Sequence, residues 1–532
     1  MSSVKRNGII VSLNTLISRC TGFLREVAIA KMFGTSVMAD IINVSFRLPN
    51  LFRRILGEGA ASQAFVPIYC TNFSSVFFNK VFTYLFIIST LISITLVYFM
   101  DTIFIYMVPG LASSEHLNLG ITSSRISSFY LIFIVLSSIL GALLNAKKKF
   151  FEFAFMPVIA NIIMIIGIFC ISIFDLSNPL IWLSITFLIS GLIQLIFMVA
   201  AVLHQGIKIN LDFKITTQVK KFFKNLIILS FGTGAAQINI FISQGISSTI
   251  PGCIAIINYA DRLYQLPISI LTTTLTTILL TELSLLQDIS HNSKLDKNEL
   301  LIIQSPSSLN TKPSIAEAPL SPDSNSVDNI KKIQTLMEKI IVTCLLITIP
   351  CGFGLMALSK DVISFVYYGG AFNHHDVHQT SKVLFIFSST LPAVSVIRVL
   401  SVVFYSKNTP LIPTITNIIS MLVNLMIMMI LIDIYGYLTP AISAFSSIYL
   451  SFIILTIFSI KHKYLKLNLD MISKITKFII SGTGMYFFLK IIMNRFLYIS
   501  GSIMHILLHI ILGIIVYYVI LRILNFNPKN YI

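Results

Sequence analysis

The chain has 532 residues, of which 55% are hydrophobic and 11% charged, with a formal net charge of +17 and a mean hydropathy of +0.87. A soluble domain carries about 25% charged residues, so a single water-exposed globular domain is excluded and a polytopic membrane protein is indicated. The positive balance does not mark a nucleic-acid binder, because the Lys and Arg residues gather in alternate loops between apolar runs, which is the positive-inside pattern of a membrane protein.

A spanning helix needs about 20 mostly apolar residues. In chain order the candidates are 8–33, 37–66, 81–109, 120–146, 153–174, 180–204, 222–248, 252–284, 333–358, 380–406, 411–433, 438–460, 472–493 and 500–524, fourteen in all. The short basic stretch before the first is followed by an apolar run interrupted by Asn14, Arg19 and Arg25, with no small-residue cleavage site. It reads as a retained first helix, not a signal peptide.

Loop charges set the orientation. Lys147, Lys148 and Lys149 follow the fourth span. Lys208, Lys214, Lys220, Lys221 and Lys224 follow the sixth. Lys461, Lys463, Lys466, Lys474 and Lys477 lie around the loop after the twelfth, while the loops between are poorer in cations. This predicts that both termini are cytoplasmic. The stretch 287–328, rich in Ser, Asn, Pro, Asp and Lys, reads as a flexible cytoplasmic linker. The segment 359–382 has mixed character and is expected along the outer interface, with His374, His375 and His378 facing solvent. The six cysteines form no CxxC, so free thiols are expected, with neither a disulfide framework nor a zinc site.

The two halves echo each other. Ile41-Ile42-Asn43 with Arg47-Leu48 matches Ile256-Ile257-Asn258 with Arg262-Leu263. Pro157 and Asn161-Ile162-Ile163 match Pro413 and Asn417-Ile418-Ile419. The paired spans are six apart, an even number, so the repeat keeps its membrane orientation. The expected architecture is therefore all-α, with two six-helix lobes, 1–206 and 207–465, related by an axis along the membrane normal and holding the substrate between them. The region 466–532 supplies two extra helices.

The first two spans carry the chemistry. An ionised side chain near the bilayer centre costs roughly 2.5–3.5 kcal/mol on insertion scales. Arg19, Arg25, Glu26, Lys31, Asp40, Arg47, Arg53, Arg54 and Glu58 therefore face water, one another or a charged ligand. On a continuous helix Asp40, Arg47, Arg54 and Glu58 share one face, Arg54 and Glu58 stand at i and i+4 for a salt bridge, and Arg53 points about 100° away, toward a ligand. Pro49 should bend this helix. Glu26 falls near the face of Arg19, and Lys31, near the helix end, should snorkel. In the eighth span Asp261 and Arg262 are adjacent, so they diverge, and Arg262 occupies the repeat position of Arg47. The competing reading of Asp40, Arg54 and Glu58 is an ion-pair network that only joins helices. Guanidinium forks match phosphate oxygens bidentately, so an arginine surplus contributed by both lobes suits an anionic, diphosphate-bearing ligand.

These residues resemble a known family. Ser18-Arg19, Gly22-Phe23, Arg25-Glu26, Phe33-Gly34, Ala39-Asp40, the run Arg47-Leu48-Pro49-Asn50-Leu51-Phe52-Arg53-Arg54, and Glu58-Gly59-Ala60 through Val66-Pro67 are similar to the start of the MviN/MurJ family. Tyr259-Ala260-Asp261-Arg262-Leu263 with Pro267 resembles the family's eighth-helix motif. The family comprises the lipid II flippases of bacterial peptidoglycan synthesis, within the superfamily of multidrug, oligosaccharidyl-lipid and polysaccharide exporters.

The resemblance implies fourteen helices, with the last pair, roughly 472–524, forming a groove for the undecaprenyl tail. It implies that Arg19, Arg25, Arg53 and Arg262 bind the diphosphate and sugar headgroup. The family's acidic partners correspond to Asp40 and Glu58; with Glu26, Arg47, Arg54 and Asp261, read from the residues alone, they are the expected charge partners and gating residues. It also implies translocation of lipid II across the bacterial inner membrane by alternating access, with no catalytic residue, cofactor or metal, and with membrane lipids and cell-wall synthesis proteins as candidate partners. Gln237 and Asn239 in the seventh span, and Asn417 and Asn424 in the eleventh, stand where some relatives hold sodium with carboxylates, so membrane potential is the expected energy source. The alternatives are an exporter of another polyprenyl-diphosphate-linked oligosaccharide, a multidrug exporter, or a membrane enzyme acting on polyprenyl diphosphates. The enzyme would need an acidic metal-binding pair such as DxD, and none is present.

Overall fold

A computed structural model of the protein describes residues 3–53, 60–72, 74–112, 114–269, 279, 324–407, 409–495 and 503–527. Its elements are α1 (Ser3–Phe33), α2 (Val37–Ser45), α3 (Arg47–Phe52), α4 (Ala60–Asn72), α5 (Ser75–Tyr98), α6 (Met100–Met107), α7 (Leu117–Ser128), α8 (Tyr130–Ala146), α9 (Phe151–Ile173) and α10 (Pro179–His204). They continue with α11 (Thr217–Ser247), α12 (Cys253–Pro267), α13 (Ser324–Tyr367), α14 (His374–Ser389), α15 (Leu391–Ser406), α16 (Leu411–Tyr435), α17 (Thr439–Lys461), α18 (Leu469–Arg495) and α19 (Ile503–Ile523).

Every predicted span falls mainly on helix among the described residues, and the protein is an all-α polytopic membrane protein. Among the described residues, seven helical stretches are long and apolar enough to cross a membrane, or eight with α14 and α15, which meet at a 43° bend. One of the seven, Leu411–Lys461, contains two predicted spans, α16 and α17. The helix α1 is long enough but carries Arg19, Arg25, Glu26 and Lys31.

Several boundaries differ from the sequence expectation, and three of them bear on the site. The third span begins at Ser75, not 81, because the Ser74 side chain accepts from the Phe77 amide at 3.3 Å and caps the helix, while Asn79 and Lys80 lower the hydropathy of its first turns. The stretch expected at the interface, 359–382, is helical up to Tyr367 and again from His374. The second span, expected to bend at Pro49, is interrupted at Phe46. Proline has no amide to donate to the carbonyl four residues back and its ring crowds that carbonyl, so the discontinuity falls one turn before it. Asp40 therefore lies on α2 and Arg47 opens α3. Most of the predicted linker 287–328 lies outside the described residues.

The chain divides into two compact units. The first comprises Met1–Tyr259, Val366–Thr380 and Met428–Pro440, and the second Ala260–Phe365, Ser381–Ile427 and Ala441–Ile532. In the first, α8 is the central helix, packed against α4, α5 and α10, and α1 lies along α9. Lipid tails are as apolar as leucine, so helix association in a bilayer rests on close packing and interhelical hydrogen bonds. Accordingly a Cβ on Gly141 would lie 2.0 Å from the Phe153 ring, and the buried Ser45 and Ser124 hydroxyls meet at 2.9 Å. The core of the second unit gathers Met337, Val342, Phe404, Phe478 and Leu521 from α13, α15, α18 and α19.

Candidate functional site

In the first unit the charges of α1 are held by α9. Arg25 is half-buried. Its Nη2 donates to Glu26 Oε1 at 2.6 Å and its Nη1 to Asn161 Oδ1 at 3.1 Å. The Asn161 amide in turn donates to the Ser18 carbonyl at 3.2 Å and Thr21 Oγ1 at 3.3 Å. Glu26 is buried. The spacing placed it near Arg19, yet it meets Arg25, because a long guanidinium side chain can fold across the roughly 100° between adjacent helical positions. Gly22 permits this approach, since a Cβ there would stand 3.3 Å from Asn161 Nδ2. Asn161 stood out in the sequence as a repeat residue; its role as the second partner of Arg25 was missed. Arg19 is exposed, and Arg47 and Arg53 are half-buried. Arg54 and Glu58 lie outside the described residues.

Asp40 is placed differently. It is fully buried, and its two carboxylate oxygens accept from the backbone amides of Gly252 at 2.7 Å and Ala255 at 2.8 Å. These amides open α12, whose first-turn N–H groups lack intrahelical partners and carry the positive end of the helix dipole. The carboxylate thus caps a helix about two hundred positions away in sequence, a distance that no local capping motif spans.

Around this cap the ends of α1, α2 and α12 are joined to the turn between α13 and α14. The Tyr259 hydroxyl donates to the Gly34 carbonyl at 3.1 Å, and the Tyr367 hydroxyl to the Tyr259 carbonyl at 3.3 Å. The Ala371 amide donates to the Lys31 carbonyl at 2.7 Å, and Thr35 bonds to Asp376. Glycine is required at the tightest points. Gly252 has φ +78°, and a Cβ there would lie 1.9 Å from the Thr35 carbonyl oxygen; on Gly370, φ +60°, it would lie 2.2 Å from that of Lys31. Phe33-Gly34 is visible in the sequence as part of a family motif, and 359–382 as a segment of mixed character, but nothing in the sequence links the two.

In the second unit α12 continues through Asp261, which is half-buried and accepts from Gln265, and Arg262, which is exposed. The Tyr264 hydroxyl meets Thr390 Oγ1 at 2.7 Å. Among the described residues, no three His, Cys, Asp or Glu side chains are grouped to hold a metal ion.

A family model described as "Lipid II flippase MurJ" matches residues 29–305 and 313–510. The chain is 33% identical over 440 residues to the "Probable lipid II flippase MurJ" of Rickettsia prowazekii, covering 80% of this chain and 78% of that protein. It is 31% identical to the Rhizobium tropici protein of the same description, covering 76% and 71%. Among solved structures it is similar to a "Lipid II flippase MurJ, inward closed conformation", with a TM-score of 0.76 and 25% identity over 97% of this chain and 98% of that one. It shares the fold of a MOP superfamily transporter from Pyrococcus furiosus, with a TM-score of 0.55 and 15% identity over 86% of this chain and 96% of that one.

Proposed function

The chain belongs to the lipid II flippase MurJ family, and from that premise we propose that it carries lipid II from the inner to the outer leaflet of the cytoplasmic membrane by alternating access. It is a transporter and not an enzyme. Arg19, Arg25, Arg53 and Arg262 take the diphosphate and sugar headgroup; Glu26, Arg47, Arg54, Glu58 and Asp261 balance and gate their charge. The regions 1–206 and 207–465 act as the two moving lobes, and 466–532 holds the polyprenyl tail. Both termini face the cytoplasm, which puts the joined ends of α1, α2 and α12 on the outer side.

The observation that carries this reading is Arg25, a guanidinium on α1 whose hydrogen-bond partners among the described residues are one carboxylate and one amide oxygen. A phosphate can replace either partner bidentately. An incoming diphosphate therefore competes with Glu26 for the same donors, and its departure restores the ion pair, so the cation is never left uncompensated. The cap at Asp40 supplies the complementary part, a set of backbone hydrogen bonds that must break before the ends of α2 and α12 can separate.

The test is expression of this protein in cells depleted of their own lipid II flippase, measuring lipid II reached by an outer-face probe. Wild-type rescue is expected. Correct insertion without rescue would overturn the lipid II reading in favour of another lipid-linked substrate.

A further inference from the structure

Two connectors, 205–216 after α10 and 462–468 after α17, are fastened in the same way. On the first, Asn79 Oδ1 of α5 accepts from the Asn210 amide at 3.2 Å and Thr83 Oγ1 from the Asp212 amide at 3.0 Å. The Tyr84 hydroxyl donates to the Phe213 carbonyl at 2.7 Å, and the buried Lys80 faces the Asp212 carboxylate at 3.8 Å. On the second, Gln334 of α13 donates to the Lys463 carbonyl at 2.8 Å and Glu338 accepts from Asn468 Nδ2 at 3.4 Å. Lys474 reaches Glu338 at 3.8 Å. The helices that do the fastening belong to spans three and nine, six apart like the paired spans of the sequence repeat.

What the fastening leaves outside is also alike. The amides of Asn210 and Asp212, two positions apart, both point at α5, which is the alternation of extended chain. The side chains between and beyond face away: Leu211, Phe213 and Ile215 are 58%, 63% and 61% exposed. On the second connector Asn468 turns to α13, and its neighbours Leu467 and Leu469 are 46% and 86% exposed. Lys208, Lys214, Lys220 and Lys221 lie exposed on and after the first connector, and Lys461, Lys463 and Lys466 just before and on the second. The neighbouring carboxylates Asp212 and Asp470 are each paired with a lysine, so the exposed charge is cationic. Exposed apolar side chains are unfavourable in water and ammonium groups are unfavourable in hydrocarbon; both are accommodated at the headgroup level of a bilayer.

We infer that the two connectors are a pair of interfacial anchors for anionic lipid headgroups. The apolar side chains enter the interface, the lysines take the phosphates, and the backbone is held ready by α5 and α13. The experiment uses the full chain with Trp182, its one tryptophan, changed to Phe and a reporter introduced as Phe213→Trp or Leu467→Trp. Each is reconstituted in phosphatidylcholine vesicles containing, at equal mole fraction, brominated phosphatidylglycerol or brominated phosphatidylcholine. The anionic lipid is expected to quench both reporters about threefold more strongly than the zwitterionic one, with the preference fading at high salt. Lys208→Gln, Lys214→Gln, Lys220→Gln and Lys221→Gln together should abolish it at position 213 and leave position 467 unchanged. Lys461→Gln, Lys463→Gln and Lys466→Gln should do the reverse. The untouched connector thereby reports that the fold is intact. Equal quenching by the two lipids with all lysines present, or no quenching by either, would overturn the inference.

Discussion

Glu26 and Asp40 are both buried carboxylates near the start of the chain, but they are met by different kinds of partner. Glu26 faces a guanidinium on its own helix, whereas Asp40 faces the amides of Gly252 and Ala255. An ion pair can be exchanged for another anion without moving the backbone. A carboxylate that caps a helix end cannot be released without opening that end. The comparison separates a place suited to ligand exchange, the middle of α1, from a place suited to holding a conformation, the junction of α2 with α12.

The largest expected effect follows from removing the exchangeable cation. Charge-assisted hydrogen bonds contribute about 1.5–3 kcal/mol each, so Arg25→Ala should lower lipid II transport by roughly tenfold or more, and Arg25→Lys, which loses the bidentate fork, by less. Neither should disturb the junction. That can be read at Cys253, which is fully buried at the start of α12: its maleimide labelling, with the other cysteines replaced, should stay slow in both variants.

Asp40→Asn should give the opposite pattern. It places an amide donor where two backbone N–H groups need acceptors, and labelling of Cys253 should accelerate by about tenfold. Fast labelling in Arg25→Ala, or slow labelling in Asp40→Asn, would break the distinction between the two regions. Gly252→Ala forces a Cβ against the Thr35 carbonyl and strains a positive φ. It should also speed Cys253 labelling, with the original rate returning only where the glycine is restored. Tyr259→Phe removes one hydroxyl donor to Gly34; the cost is about 1 kcal/mol, visible as a small drop in thermal stability with transport nearly intact.

Much of this was legible in the residues. Apolar runs of membrane length located the helices, and the cost of burying charge marked Arg25 as one of nine charged residues in the first two spans. The partners were less legible. Asp40 looked like one member of a charged helix face, because its true partners are backbone amides and carry no side-chain signature. Asn161 was visible as a repeat position, but nothing local links α9 to Arg25. The bend expected from Pro49 takes the form of an interruption at Phe46, because proline acts on the turn before itself. The fastening of the two connectors depends on side chains on distant helices, so the sequence displayed the lysines without the geometry that presents them.

The most direct test of the central claim, that arginines from the first, second and eighth spans hold the headgroup, is the outer-face lipid II assay in flippase-depleted cells. Wild type would be compared with Arg25→Ala, Arg53→Ala and Arg262→Ala at matched surface abundance. The account predicts rescue by wild type and loss in all three variants. Full rescue by the three variants would contradict it and return these arginines to a purely structural role.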